Sequence, residues 1–237
     1  INGGRSKRDH PLVPVTADEQ AAAVIECLAA GASAIHLHVR STSGDESLAA
    51  VDVAHTLRAV RIAAPGVQVG VSTGEWIVPD PSLRLKAITG WTELPDFASV
   101  NFNEDGAFEI AQLLISRGVA IEAGLCDAGA AAKLLNSTLA QRCMRILLEP
   151  QEQQLERARG MVKAIESSLD RAGIELPRLL HGTEATAWDV LREAIKRGYD
   201  TRIGFEDTLL LPDGAVAATN AELVSEAKRL MLLGGSV

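Results

Sequence analysis

Two patterns of hydrophobic and polar residues alternate along this chain: short aliphatic runs are separated by longer amphipathic stretches. This succession is typical of repeated strand–helix units that build a parallel sheet. The pattern predicts strands at a stub over residues 1–2 and at 33–39, 67–73, 97–103, 119–125, 143–149, 178–182 and 200–206. It predicts helices at 17–31, 48–64, 81–90, 106–117, 128–140, 151–173, 184–197 and 219–233. Thr16 and Glu19 have the spacing of a capping box at the first helix.

Eight strand–helix pairs in 237 residues predict an α/β fold, the (β/α)8 TIM barrel, whose usual length is about 250 residues. The chain has no internal linker, so we expect a single barrel domain over residues 1–237, with a few native N-terminal residues missing. Polar residues recur at alternate strand positions, which supports closure because a barrel strand turns one face to the lumen and the other to the helices. A doubly wound open sheet is the structural alternative.

The run at residues 34–40 carries the strongest chemical signal, with His36, His38 and Arg40 on one face of a predicted strand. Side chains at i and i+2 of a strand point the same way, so the two imidazoles can converge on one ion. Zinc prefers imidazole and carboxylate ligands, and two histidines need at least one more. Glu206 is the leading candidate, because strands eight and two of a closed barrel are separated by a single strand. A surface strand with two solvated histidines is the alternative.

Composition and charge narrow the range of partners. The formal net charge is −8 and there is no basic cluster, which argues against nucleic-acid binding. The three cysteines are scattered and form no CxxC pair, which indicates a reducing, cytoplasmic setting. No apolar run approaches the ~20 residues needed to cross a bilayer, so we expect no membrane partner.

Weaker candidates follow from position. Ser72-Thr73-Gly74 ends a predicted strand with hydroxyls and a flexible turn, which suits a carboxylate or phosphate oxygen or simply caps the next segment. His10 lies in the first top loop and either contacts substrate or is simply exposed. His181, at the top of strand seven, is better placed as a site residue. The tryptophans are predicted to be packing residues, namely Trp76, Trp91 and Trp188.

Several short motifs occur in an order that spans nearly the whole chain. The 36–40 run HLHVR and the 202–208 run RIGFEDT are highly specific when they occur together. The other segments are Asn2-Gly3-Gly4-Arg5, His10-Pro11 with Pro14-Val15-Thr16, Ser72-Thr73-Gly74, the 99–104 run SVNFNE, the 122–125 run EAGL, His181-Gly182 and Pro212-Asp213-Gly214. In this combination the chain resembles the beta-keto acid cleavage enzymes.

The resemblance implies a zinc-dependent barrel enzyme that takes a β-keto acid and acetyl-CoA and yields acetoacetate and a new acyl-CoA. Carried over by position, His36, His38 and Glu206 would hold the zinc. Asp207 with Arg202 would form the acid/base pair. The implied substrate-binding residues are Ser72, Thr73, Gly74, Asn101, Asn103, Glu122, Arg5 and His10. A homo-oligomer, either a tetramer or a dimer, is implied as well.

One position departs from the family pattern. Some members place a glutamate in the loop after strand one, where it helps to recognise an amino-bearing substrate. This chain has Arg5 there and no acid before Asp9. We therefore expect a β-keto acid with an anionic or neutral polar tail.

Three other functions stay open. An amidohydrolase-type hydrolase also uses an HxH pair in a barrel, although there the pair lies in the first strand and further histidines follow on later strands. A metal-dependent aldolase or decarboxylase would use the same enolate chemistry without coenzyme A. A non-catalytic barrel that binds a small acid would be expected to lack one or more of four positions that this chain retains, His36, His38, Glu206 and Asp207.

Overall fold

The computed structural model describes residues 1–234, in which strands and helices alternate around one parallel sheet. The last three positions of the predicted domain, 235–237, lie outside the described residues. The six strands pair in chain order and are β1 Ala34–Leu37, β2 Gln68–Ser72, β3 Phe97–Asn101, β4 Ala120–Leu125, β5 Arg145–Leu148 and β6 Arg178–Leu180. A doubly wound sheet reverses its strand order at a switch point, so the sequential order excludes that alternative.

Within the described residues, the strands are connected by α-helices at positions close to the predicted ones. They are α1 Ala17–Ala29, α2 Ala50–Ala63, α3 Pro81–Thr89, α4 Ala107–Ser116, α5 Ala128–Leu135, α6 Leu155–Arg171, α7 Ala187–Arg197 and α8 Asn220–Leu232. Short 3₁₀ turns at Ala140–Arg142 and Glu184–Thr186 precede β5 and α7. The predicted capping box is confirmed, since Thr16 Oγ1 accepts from the Glu19 N–H and the Glu19 carboxylate accepts from the Thr16 N–H.

The predicted helix over residues 128–140 is too long. It ends at Leu135, where Ser137 begins to compete for backbone groups: its hydroxyl donates to the Leu134 carbonyl at 2.6 Å and accepts from the Leu139 N–H at 3.1 Å. Serine favours such local bonds over a continued helix, which explains the early end.

The predicted α/β barrel is confirmed, but two of its eight predicted strands are wrong. Residues 1–2 and 200–206 are irregular, apart from one parallel bridge between Leu179 and Asp200. Side chains replace the missing backbone ladder there: Asn2 bonds both backbone groups of His38, and Thr201 Oγ1 donates to the Leu180 carbonyl at 2.8 Å. We call residues 1–5 and 200–207 the closing seam, because they continue the barrel wall between β6 and β1.

The hydrophobic core lies between the strands and the surrounding helices. Outward-facing strand residues such as Val69, Val71 and Ile121 are fully buried against the apolar faces of the helices. A second, smaller cluster packs Phe205 of the closing seam against α7 and α8. Burial on this scale fixes the wall and so fixes the positions of the lumen-facing polar groups. No helix among residues 1–234 has the length and apolarity to span a bilayer.

Candidate metal centre and active site

The end of β1 brings two histidines to the lumen. His36 lies on β1 and His38 follows directly after it, and both side chains are buried. Glu206 reaches them from the closing seam, with carboxylate oxygens 3.7 Å from His36 Nε2 and 3.3 Å from His38 Nε2. One ligand atom of each residue lies within 4.8 Å of the other two. The structure thus groups the three residues, and their role as metal ligands stays a prediction.

The first residues of the closing seam pack directly against Glu206. Gly3 has a φ of +52°, which glycine adopts readily, and a Cβ at this position would lie 2.6 Å from Glu206 Cγ. The Asn2 side chain accepts from the His38 N–H at 2.9 Å and donates to the His38 carbonyl at 2.8 Å. Together these contacts hold the carboxylate beside the histidine pair.

Two of the three side chains, His36 and Glu206, have the charge state that a divalent ion requires, and an ion would have to displace a proton from His38. Burial holds the pKa of His36 well below its usual value, so this imidazole is neutral. Burial would also lower the pKa of His38, but the carboxylates of Glu206 and Glu46 outweigh it and raise that pKa. Burial would raise the pKa of Glu206, yet Arg202 and the two histidines hold it well below its usual range. Two imidazoles and an ionised carboxylate match the donor set of a catalytic zinc site, so these residues fit that ion.

A second carboxylate lies on the opposite edge of the His38 ring. Glu46 Oε1 is 2.5 Å from His38 Nδ1, so the ring lies between Glu46 and Glu206. Trp76 Nε1 donates to both oxygens of Glu46, at 3.0 and 3.2 Å, and its ring stacks on His38 with centroids 6.0 Å apart. Trp76 is half-exposed, in contrast to the buried Trp91, and it packs on His38 outside the core.

Glu46 is a residue that the sequence reasoning missed. It shares no hydrophobic periodicity with His38 and reaches the ring because residues 40–46 fold back on themselves, with an antiparallel bridge between Arg40 and Glu46. The intervening segment, STSGD at 41–45, is rich in turn-forming residues. That composition was the available signal for a tight reversal that returns the chain to the strand end.

Asp207 is buried next to the metal-ligand candidates, and its nearest charged partner is His181. His181 Nδ1 lies 2.9 Å from Asp207 Oδ1, and its Nε2 lies 3.2 Å from a Glu149 oxygen. Arg202, the expected partner, lies 3.8 Å from Asp207 and bonds Glu206 more closely, at 2.8 Å. The guanidinium therefore bonds Glu206 through Nη2 and faces Asp207 through Nε only at the longer distance.

The protonation of His181 follows from these neighbours. Burial and Arg202 both lower its pKa, but the carboxylates of Asp207 and Glu149 outweigh them and raise the pKa of His181 to about 9. His181 is therefore a cation at neutral pH and stabilises the negative charge of Asp207.

The hydroxyl groups at the end of β2 differ in what they offer a ligand. Thr73 Oγ1 donates to the Ser99 carbonyl at 2.8 Å, so its proton is already used. Ser72 Oγ only accepts, from the Gly74 N–H at 3.4 Å, and keeps its proton for another partner. Gly74 lies under the Trp76 ring, where a Cβ would overlap the indole.

The two asparagines predicted after β3 have different environments. Asn101 ends the strand, and its Nδ2 donates to Glu104 Oε1 at 2.9 Å. The other Glu104 oxygen accepts from the Glu75 N–H at 3.0 Å and lies 3.3 Å from Arg84. Asn103 lies beyond the strand and is exposed. The alternation that predicted it in the lumen does not extend past Asn101, because the extended backbone ends there.

Glu122 of β4 is a fully buried carboxylate in the lumen. Arg145 of β5 bonds its Oε1 at 2.5 Å and also lies over the Phe97 ring, 5.4 Å from its centroid. Glu122 Oε2 has no hydrogen-bond partner among residues 1–234. A cavity of about 530 Å³ connects this ion pair with His36 and Glu206. Glu122 is thus held by a structural ion pair and still has one oxygen unpaired.

Arg5 and His10 lie at the top of the closing seam, and both contact protein groups. Arg5 Nη2 bonds Glu184 Oε1 at 2.5 Å, and its Nε donates to the Phe205 carbonyl. The His10 ring packs 4.5 Å from the Phe205 ring. Glu184, which the sequence reasoning missed, also donates its backbone N–H to the Asp207 carbonyl at 2.6 Å. The Arg5 charge is therefore balanced by a carboxylate next to the candidate base.

Comparison with known proteins relates this geometry to a family. The family model for the beta-keto acid cleavage enzyme matches residues 1–235 of the chain. The chain belongs to this family. The resemblance to the beta-keto acid cleavage enzymes that the sequence motifs indicate is therefore confirmed.

Individual relatives agree with the family assignment. The chain is similar to the 3-keto-5-aminohexanoate cleavage enzyme of Fusobacterium nucleatum subsp. nucleatum, with 28% identity over 95% of this chain and 86% of that protein. The enzyme of the same name from Acetoanaerobium sticklandii is 25% identical over the same shares of the two chains. A shorter match, 41% identical over 68 residues, links 29% of this chain to 24% of the 3-oxoadipate:acetyl-CoA acetyltransferase of Cupriavidus necator.

Solved structures of ObcA share the fold. The binary complex of ObcA with oxaloacetate has a TM-score of 0.71 at 17% identity, covering 96% of this chain and 65% of the ObcA chain. The ternary complex of ObcA with a C4-CoA adduct and oxalate has a TM-score of 0.73 at 16% identity, covering 95% of this chain and 65% of ObcA. The chain thus spans 65% of the length of the ObcA chains, and the similarity concerns the barrel.

Proposed function

We propose that this family member is a zinc-dependent acyltransferase, which condenses a β-keto acid with acetyl-CoA to give acetoacetate and a new acyl-CoA. The observation that carries the proposal is the grouping of His36, His38 and Glu206 beside the buried carboxylate of Asp207. The names of relatives support it, since they include cleavage enzymes for a keto acid and an acetyl-CoA acetyltransferase.

The chain supplies a candidate base and two cationic groups beside it. Asp207, held by His181 and Arg202, removes a proton from the carbon between the keto group and the carboxylate of the substrate. When zinc is bound at His36, His38 and Glu206, it polarises the keto oxygen and offsets the charge of the enolate.

The remaining steps balance without an added oxidant or reductant. The substrate carbanion attacks the acetyl thioester carbonyl and releases the thiolate of coenzyme A. The thiolate then attacks the keto carbon of the original substrate. The bond between that carbon and the carbon that was deprotonated breaks. The products are a new acyl-CoA and the carbanion of acetoacetate, which takes back the proton from Asp207. In this scheme Ser72, with its free hydroxyl proton, orients the substrate carboxylate, and Asn101 completes that side of the pocket.

The substrate tail is proposed from the top of the closing seam. The loop that carries Arg5 has no acid before Asp9, and the Asp9 carboxylate is bonded to Ser6. Arg5 can contact an anionic or neutral polar tail, in competition with its present partner Glu184. We therefore propose a substrate that differs from the amino-bearing keto acid named for two of the relatives.

The setting and assembly are part of the same proposal. The cysteines Cys27, Cys126 and Cys143 are all free thiols, as expected for a barrel domain in the reducing cytoplasm. We propose a homo-oligomer, a dimer or a tetramer. Three apolar side chains on α1 and α2 are exposed around one groove and would be buried by such an assembly, namely Ile25, Val51 and Ile62.

An acetoacetate assay tests the proposed reaction. Purified protein is given β-keto acids with anionic, neutral or amino-bearing tails, each with and without acetyl-CoA. We expect acetoacetate and a new acyl-CoA only when acetyl-CoA is present, with anionic or neutral polar tails used in preference to amino-bearing ones. Consumption of the keto acid at the same rate without acetyl-CoA would indicate an aldolase or decarboxylase and overturn the proposal.

A further inference from the structure

The segment after β1 forms a tight reversal that returns to the histidine pair. Ser41 donates its N–H to the Asp45 carbonyl at 2.8 Å, and Ser47 donates to the Val39 carbonyl at 2.9 Å. Arg40 secures the base of this reversal by donating to the carbonyls of Gly3 and Arg5. The reversal is therefore bonded to the closing seam through Arg40, the residue that pairs with Glu46.

The reversal places Glu46 on the ring edge of His38 that faces away from Glu206. Glu46 lies 2.5 Å from Nδ1, whereas Glu206 lies 3.3 Å from Nε2. An imidazole that binds a metal ion through one nitrogen keeps its proton on the other, and a carboxylate beside Nδ1 accepts a hydrogen bond from a proton held there. The lone pair is then left on Nε2, the nitrogen that faces Glu206 and His36.

Trp76 fixes this carboxylate from the side of β2. Its indole N–H is shared between the two oxygens of Glu46, and its ring covers the face of His38 at an interplanar angle of 24°. About half of the Trp76 surface is exposed, 51%, so burial alone does not explain its position. The ring instead shields the bond between Glu46 and His38 from water. Such a bond is stronger when water is excluded from it.

We propose that Glu46 and Trp76 are positioning residues for the metal site, which hold His38 in the tautomer and orientation that present Nε2 to a divalent ion. The proposal rests on the proposed zinc function, and it adds two residues that would act on the ion through His38. Outer carboxylates of this kind raise the basicity of a ligating histidine and restrict its ring, so their loss weakens metal binding.

Zinc affinity of the metal-free protein is the test, measured by competition with a chromophoric chelator. We expect Glu46→Gln to weaken zinc binding by about 10- to 100-fold, the usual effect of removing such a partner. Glu46→Asp should restore part of the loss, because it keeps a carboxylate. Trp76→Phe keeps the ring and removes the N–H, so we expect a smaller loss than for Glu46→Gln. The control is Glu75→Gln, which removes the same charge from an exposed neighbour of Trp76 and should leave the affinity unchanged.

The outcomes separate this inference from the proposed function. Unchanged zinc affinity in a folded Glu46→Gln variant, with tight binding by the unaltered protein, would overturn the positioning role and leave the metal site intact. Failure of the unaltered protein to bind zinc would overturn both. A cobalt-substituted protein gives a spectroscopic readout: its visible absorption should change in Glu46→Gln and not in Glu75→Gln, because only the first substitution alters a ligand's environment.

Discussion

The regular wall of the barrel and its closing seam are built in different ways. Strands β2 to β5 are held by continuous backbone ladders, and their outward residues are fully buried. In the seam, side chains such as that of Asn2 complete the hydrogen bonds, and two buried guanidinium nitrogens of Arg202 have no hydrogen-bond partner within residues 1–234. The seam also holds Glu206 and Asp207, the two consecutive carboxylates of the candidate site. The reactive groups are therefore concentrated where the regular sheet is interrupted.

The largest expected effect comes from the seam. Asp207→Asn removes the candidate base with little change in volume, so we expect turnover to fall by about 10³-fold, within the range for loss of a general base. Zinc content should not change, because Asp207 is not among the grouped metal-ligand candidates. The matched control is Asp200→Asn, which changes an exposed carboxylate at the other end of the seam and should retain activity. Activity of Asp207→Asn equal to that of the control would remove Asp207 from the mechanism.

The next effect concerns the pH dependence of stability. His181 has a pKa of about 9 in the folded protein against 6.5 in the unfolded chain. Its ion pairs therefore stabilise the fold fully below pH 6.5, and this stabilisation is lost as the pH rises through 9. At about 1.4 kcal/mol per pKa unit, the loss is about 3 kcal/mol. Denaturant unfolding without metal measures this effect. The difference in unfolding free energy between the unaltered protein and His181→Gln should fall by about 3 kcal/mol between pH 6.5 and 9. A difference that does not vary with pH would contradict the assigned charge.

Smaller effects on stability and zinc affinity are expected from one substitution in the seam and one in the regular wall, which can be compared directly. Gly3→Ala places a Cβ against Glu206 at a positive φ, so we expect a loss of about 1–3 kcal/mol in unfolding free energy together with reduced zinc affinity. Ile121→Val removes one methylene from the outer face of β4 and should destabilise the fold by about 1 kcal/mol with no change in zinc affinity. Equal zinc affinity in the two variants would remove the distinction between seam and wall.

The same division explains how much the sequence could predict. Strands β2 to β5 follow an alternation of apolar and polar residues, and their predicted positions agree with the structure to within two residues at each end. The grouping of His36, His38 and Glu206 was also predictable, because strand parity and barrel closure are enough to bring them together. The irregular path of 200–206 was not, since beyond Asp200 a side chain, that of Thr201, bonds β6 and leaves no period in the sequence.

The partners of the candidate site residues were harder to predict than the residues themselves. His181 was recognised as lying near the top of the barrel, but its bond to Asp207 depends on the path of the seam. Glu46 reaches His38 only through the tight reversal at 41–45. Both contacts join segments that no repeating pattern connects, so only the three-dimensional structure reveals them.

The central claim is that His36, His38 and Glu206 together hold one divalent ion. Elemental analysis of the purified protein and of the double variant His36→Ala/Glu206→Gln tests it most directly. We predict about one zinc per chain in the unaltered protein, as for a mononuclear catalytic site, and loss of the zinc in the double variant, with circular dichroism showing that the barrel is retained. Full retention of zinc in the folded double variant would contradict the claim.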